Sequence, residues 1–199
     1  MGRLILVRHG DTDMAGRLCG QSDPSLNAKG KERMHQVARR VADLGIERIW
    51  CSDLRRAQQS AAILGEKIGA AIEIRRNLRE IHFGFWEGLS WDEAAARFPR
   101  EAQLWINGYR EQPAPGGECY GDFTARIDAE LSLVHEDEKI ALVTHRGVLQ
   151  HILRRYCGYD SNQAWKDTSE YGSVIAIDTE RFFLARNEVS NQSFSKEAP

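Results

Sequence analysis

Leu4-Ile5-Leu6-Val7-Arg8-His9-Gly10-Asp11-Thr12 governs the reading of the whole chain. Four consecutive apolar residues fit a short strand buried on both faces, as in a parallel sheet. The strand then runs straight into Arg-His-Gly. Two polar side chains at the end of a buried strand are wasted unless something uses them. Two later stretches repeat the arrangement. Arg48-Ile49-Trp50-Cys51 leads into Ser52-Asp53-Leu54-Arg55-Arg56, and Lys139-Ile140-Ala141-Leu142-Val143-Thr144 leads into His145-Arg146-Gly147.

Helical spacing separates these strands. Met34, Val37, Ala38, Val41 and Leu44 form one stripe, opened near Asn27 and stopped by Gly45. Ala57, Ala61, Leu64 and Ile68 form another, ended by Gly69, and Ile72 to Ile74 is a brief strand. Ser90-Trp91-Asp92-Glu93 has capping-box form and predicts a short helix ended by Phe98-Pro99. Phe123, Ile127, Leu131 and Val134 predict a longer helix, and Val148, Leu149, Ile152 and Leu153 another that ends at Gly158. Ser173–Asp178 and Arg181–Arg186 read as two strands joined by a tight turn.

Alternating strands and helices predict a three-layer α/β/α sandwich around a mostly parallel sheet, with one antiparallel strand added by the closing pair. Residues 1–186 are expected to form one domain. The stretch 82–118, which holds Trp86, Trp91 and Trp105, interrupts the alternation and reads as an insertion over one end of the sheet. Residues 187–199 are polar and aperiodic and read as a poorly ordered tail.

The chain has 199 residues, 42% of them hydrophobic, and 27 Lys+Arg against 29 Asp+Glu, a net charge of -2. That balance excludes the basic field of a non-specific nucleic-acid binder and a polybasic membrane anchor. No run approaches the roughly 20 apolar residues of a membrane span, and the apolar start is too short for a signal-peptide core, so a cytoplasmic location is expected. The four cysteines, at 19, 51, 119 and 157, lack paired-ligand spacing, so neither a zinc site nor a disulfide framework is expected.

In open α/β sheets ligands bind beyond the carboxyl ends of the strands. Three strand ends here deliver arginines and two histidines to one edge, and each runs into a helix whose free N–H groups favour an anion. There is no Walker loop, no acidic pair at metal-ligand spacing near these motifs, and no serine-nucleophile signature. Chemistry without metal or cofactor leaves imidazole as the natural nucleophile. Attack on phosphorus then needs arginines for the phosphoryl oxygens and a carboxyl to protonate the leaving alkoxide.

Four motifs in order resemble the histidine phosphatase superfamily, also called the phosphoglycerate mutase-like family. Leu6-Val7-Arg8-His9-Gly10-Asp11-Thr12 resembles its RHGxT signature, and Ser52-Asp53-Leu54-Arg55-Arg56-Ala57 its second motif, where an arginine follows the serine by three. Leu78-Arg79-Glu80 with Gly84-Phe85-Trp86-Glu87-Gly88 resembles the segment that carries the acid. Val143-Thr144-His145-Arg146-Gly147 resembles the second-histidine motif. The resemblance runs from about Leu4 to Gly158 and implies the phosphoglycerate mutase-like fold. It implies that His9 becomes phosphohistidine, that Arg8, Arg55 and His145 line the phosphate pocket, and that Glu80 is the acid and later the base. Glu87 is a rival acid, but in the family pattern the Trp-Glu-Gly glutamate is mainly structural. Thr12, Cys19, Gly20, Gln21, Arg79 and Arg146 are the expected substrate contacts.

Two positions depart from the pattern. Ala15 stands where many members have a phosphate-contacting Asn. Arg146 stands where a small residue is usual, and either adds a positive charge to the pocket or points away from it. Within the family, residues 16–26, 83–91 and 115–119 resemble the alpha-ribazole phosphatases. Trp91 or Trp105 would stack on a flat base or else belong to the core of the insertion. The expected activity is metal-independent hydrolysis of a small phosphorylated metabolite, with alpha-ribazole 5'-phosphate as the candidate substrate. Alternatives are a phosphoglycerate mutase, a broad-specificity or phosphoserine phosphatase, and a non-catalytic phosphate-binding module. No nucleic-acid, membrane or cofactor partner is implied, and a homodimer is left open.

Overall fold

In the computed structural model, residues 2–108 and 112–194 are described. Five strands form one sheet in the order β3-β2-β4-β1-β5. They are β1 (Arg3–Arg8), β2 (Arg48–Cys51), β3 (Ala71–Ile74), β4 (Lys139–Thr144) and β5 (Val174–Asp178). The first four are mutually parallel, and β5 runs antiparallel along β1. The mixed sheet is thus the expected one, with its antiparallel member at one edge.

Strand alternation divides the core in two. Leu4, Leu6, Trp50, Ile140 and Leu142 face one side, and Ile5, Val7, Ile49, Ala141 and Val143 face the other. Helices α1 (Ala28–Val41) and α2 (Arg55–Ile68) cover the second side. Helices α5 (Tyr120–Leu131), α6 (Arg146–Tyr156) and α8 (Thr179–Phe194) cover the first. From their second residues on, β1 and β4 are buried on both sides, which is why residues 4–7 and 140–143 read as unbroken apolar runs.

The insertion holds two helices, α3 (Trp91–Arg97) and α4 (Pro99–Gly108), rather than one. Ser90 and Glu93 close the predicted capping box. Pro99 ends α3 and also opens α4, because proline at the first helical position gives up an N–H that has no partner there in any case. The insertion has its own small core, centred on the fully buried Trp86 and packed by Ala94, Ala102 and Ala114.

The chain's last third departs from the sequence reading in three ways. Arg181–Arg186 lies within helix α8 and is not a strand. Phe182 and Phe183 are both buried, at 0% and 2% exposure. Neighbouring residues can share the broad apolar stripe of a helix, whereas a strand would turn one of them outward. The same helix runs on through Phe194, so residues 187–194 are not an irregular tail, and residues 195–199 lie outside the described residues. Helix α7 (Ser161–Thr168) was not anticipated. Asp160 caps it by accepting a 2.8 Å bond from the Gln163 amide, so its signal was present as Asp-x-x-Gln.

Candidate active site

The strand register brings the two histidines together. Arg8 pairs with Thr144 across β1 and β4, so the next residues, His9 and His145, leave the sheet side by side. The His9 amide donates to the Thr144 carbonyl at 3.0 Å, and the two imidazole centroids lie 5.1 Å apart. Gly10 follows His9 against helix α1, where a Cβ would stand 2.6 Å from the Gly30 carbonyl oxygen, so this close approach requires glycine.

The ring of His9 is held in one orientation. Its Nδ1 lies 2.8 Å from the Gly10 carbonyl oxygen, which can only accept, so Nδ1 carries the proton. Nε2 then holds the lone pair, and Arg56 Nε donates to it at 3.2 Å. Burial, then Arg56 and Arg8, hold His9 well below the usual histidine pKa. The ring is thus held as a neutral imidazole with its unprotonated nitrogen beside a cation. His145 is fully buried, and neither ring nitrogen has a hydrogen-bond partner among the described residues. Burial, Arg56 and His9 lower its pKa as well. Two buried, unpaired imidazole nitrogens beside two arginines form a site complementary to an anion.

The arginine of the second motif is Arg56, not Arg55. The Arg55 side chain is 60% exposed and reaches Asp23 at 3.9 Å. Arg56 is 1% exposed, and besides His9 it donates to the carbonyls of Gly20 and Ser22, each at 2.6 Å. Helix phase is the reason. Arg56, Ser60 and Leu64 share the buried stripe of α2, while Arg55 stands outside it. The spacing 56-60-64 could have identified the inward arginine.

Arg8 is 6% exposed, packs over Tyr171 at 4.0 Å, and donates to the carbonyls of Thr168 and Ser169 at 3.0 and 2.5 Å. These carbonyls end α7, where the helix dipole favours a cation. Burial and the nearby Arg146 push its pKa down to about 10.

Glu80 reaches the site from the segment that follows β3. Thr144 Oγ1 donates to the Leu78 carbonyl at 2.7 Å and fixes this segment to the end of β4. The Glu80 carboxylate accepts from the Ile81 amide at 3.1 Å and from the Gly147 amide, at the start of α6, at 3.0 Å. Arg126, which the sequence reading missed, donates to the carbonyls of Asn77, Arg79 and Glu80 and is itself held by Glu118. Glu87 accepts from the Gln21 and Phe83 amides and the Ser22 hydroxyl, tying residues 20–22 to the insertion.

A cavity of about 530 Å³ opens over this centre, although His145, expected on its wall, is fully buried and is not among the residues that line it. Arg8, His9, Arg56, Glu80 and Arg146 line it, as do Thr12, Cys19 and Gly20. Gln21 and Arg79 were expected as substrate contacts but are not on its wall. Arg79 donates through Nε and one terminal nitrogen to the two carboxylate oxygens of Asp53, at 2.6 and 2.7 Å, and Gln21 bridges its other terminal nitrogen to the Glu80 carbonyl. Trp91 and Trp105 both line the cavity and both pack edge-on against Trp86, so each belongs at once to the insertion's core and to the cavity wall.

Residues 4–186 match the model of the histidine phosphatase superfamily, branch 1. The chain belongs to that superfamily and is one of its enzymes. It is 32% identical over 168 residues to a protein of Erwinia tasmaniensis described as a probable phosphoglycerate mutase, GpmB, covering 81% of this chain and 78% of that one. It is 26% identical over 200 residues to the adenosylcobalamin/alpha-ribazole phosphatase of Escherichia coli K12, covering 98% of each. Among solved structures, the alpha-ribazole phosphatase of Shigella flexneri superposes with a TM-score of 0.79 at 28% identity, covering 88% of this chain and 90% of that one. Among the described residues no helix is long and apolar enough to cross a membrane.

Proposed function

We propose that this chain hydrolyses phosphomonoesters through a phosphohistidine formed on His9. The observation that carries this is the state of the His9 ring: Nδ1–H fixed on the Gly10 carbonyl, and Nε2 free of protons beside Arg56. In the first step Nε2 attacks phosphorus in line with the ester oxygen. The N–P bond forms, the P–O bond breaks, and Glu80 gives the leaving oxygen its proton. Arg8 and Arg56 neutralise the phosphoryl oxygens and the neutral His145 donates a hydrogen bond to them, a task that in this reading requires no metal ion. In the second step Glu80 takes a proton from water, the hydroxide attacks phosphorus, and orthophosphate leaves His9 neutral again.

The substrate in this reading is a small cytoplasmic metabolite with a flat, apolar leaving group, and alpha-ribazole 5'-phosphate is the particular one proposed. The supporting features are the cavity's size, far beyond one phosphoryl group, its Trp91 and Trp105 wall, and the likeness to phosphatases named for that ester. A panel of alpha-ribazole 5'-phosphate, phosphoserine, 3-phosphoglycerate and a sugar phosphate, assayed with a chelator present, tests it. Preferred turnover of the ribazole ester supports the assignment. Preferred turnover of another ester replaces it, and no phosphate release from any of them contradicts the activity itself. The likeness to GpmB favours a mutase as the second reading. The product from 3-phosphoglycerate decides between them: free glycerate for the phosphatase, 2-phosphoglycerate for the mutase.

A further inference from the structure

Arg146 is the residue of the second-histidine motif that the family pattern leaves unexplained, and its surroundings are specific. It follows His145 directly, as the first residue of α6, and it lines the cavity. Trp165 of α7 lies under its guanidinium at 4.4 Å, so one face is covered. One terminal nitrogen donates to the Ser169 carbonyl at 2.9 Å. Arg8 donates to that same carbonyl. The two nitrogens are therefore no farther apart than those two bonds laid end to end, and the two cations share one acceptor. The Nε of Arg146 and the Nε of Arg8 are both buried, and neither has a hydrogen-bond partner among the described residues.

Two guanidinium groups held this close repel each other, and an anion placed between them relieves the repulsion. The anion belongs at the reacting centre and not at the far end of the cavity. Arg8 immediately precedes His9, Arg146 immediately follows His145, and the two imidazoles are adjacent. Arg154, two turns further along α6 and about 12 Å away by helical rise, also lines the cavity.

We propose that Arg146 is a further donor to the transferred phosphoryl group, beside Arg8 and Arg56, and that Trp165 is the positioning residue that holds its guanidinium against the site. Because the contact is to the phosphoryl oxygens, it serves every substrate, whatever its leaving group. The inference rests on the phosphatase reading, and the test separates the two.

Orthovanadate inhibition and p-nitrophenyl phosphate turnover are measured for wild type, Arg146→Ala, Arg146→Lys and Trp165→Ala, with circular dichroism to confirm folding. Neither probe carries an anionic group apart from the phosphate or vanadate itself, so both report contact with the phosphoryl site. Arg146→Ala is expected to weaken orthovanadate about 10- to 100-fold, the span of a hydrogen bond to a charged group. Arg146→Lys restores part of the loss by returning the charge. Trp165→Ala weakens orthovanadate less than Arg146→Ala does. If Arg146→Ala fails to fold, the lysine variant takes its place, and it is expected to bind orthovanadate more weakly than wild type. Orthovanadate binding and p-nitrophenyl phosphate turnover unchanged from wild type in the folded variants overturn the proposal and leave the phosphatase reading intact. A wild-type protein that neither binds orthovanadate nor releases phosphate overturns both.

Discussion

His9 makes a different bond at each ring nitrogen, and its chemistry follows from that asymmetry. The Gly10 carbonyl takes the Nδ1 proton, and Arg56 faces the Nε2 lone pair. The choice between two adjacent arginines gives the first prediction. Arg56→Ala is expected to lower kcat/KM about 100- to 1,000-fold, the usual cost of one donor to a developing oxyanion. Arg55→Ala is expected to stay within about twofold, since an exposed ion pair contributes little. Steady-state kinetics of the two variants check this, and the reverse order would contradict it. A second prediction concerns pH. Folding holds His9 and His145 neutral where the unfolded chain protonates them, so below the ordinary histidine pKa of about 6.5 the unfolded state binds more protons. Their contribution to stability is intact above that pH and is lost as pH falls from it toward the lowered folded values. Thermal unfolding without phosphate should show a falling Tm between pH 7 and 5.5. The acid limb of kcat/KM should not centre at 6.5. Arg8, His9 and His145 were legible in sequence because each stands at or just past the end of an apolar run. Arg56 was not, because motif spacing marks a neighbourhood while helix phase decides which residue turns inward.

At the scale of elements, the placing of Glu80, the proposed acid, depends on a contact between two segments far apart in sequence. The start of α6 approaches the Glu80 loop so closely that a Cβ on Gly147 would lie 2.3 Å from Glu80 Oε1. Gly147→Ala therefore moves the carboxylate and leaves the helix in place. Its expected effect is a kcat loss of about 100-fold or more, the range for a general acid, with an unchanged circular dichroism spectrum. The insertion supplies the other test. Trp86 is fully buried between Trp91 and Trp105, and Trp86→Ala should lower the unfolding free energy by about 3–5 kcal/mol in a denaturant titration. It should also reduce turnover of bulky aromatic esters more than that of small ones. The capping box at Ser90 was plain in sequence. Helices α4 and α7 were not, since each is short and carries a weak apolar stripe, and α8 was misread because the apolar run Phe182-Phe183-Leu184-Ala185 resembles a strand buried on both faces.

Over the whole molecule, a net charge of -2 coexists with a pocket where cations outnumber anions. Acidic partners elsewhere account for the balance. Asp53 takes Arg79, Glu118 takes Arg126 and Asp11 takes Arg33, each at 2.6–2.7 Å. The parallel sheet was legible from alternating strands and helices. Its order was not, because the placement of β4 between β2 and β1 depends on pairing across most of the chain. That pairing sets the two histidines side by side, so the reactive centre follows from global topology as much as from local motif. The central claim, a covalent phosphoryl group on His9, is tested most directly by rapid quenching with a phosphate ester followed by mass spectrometry of the digested protein. The account predicts one acid-labile phosphate on the peptide containing His9, absent in His9→Ala. Steady turnover with that peptide never phosphorylated, or with the phosphate on another residue, would contradict it.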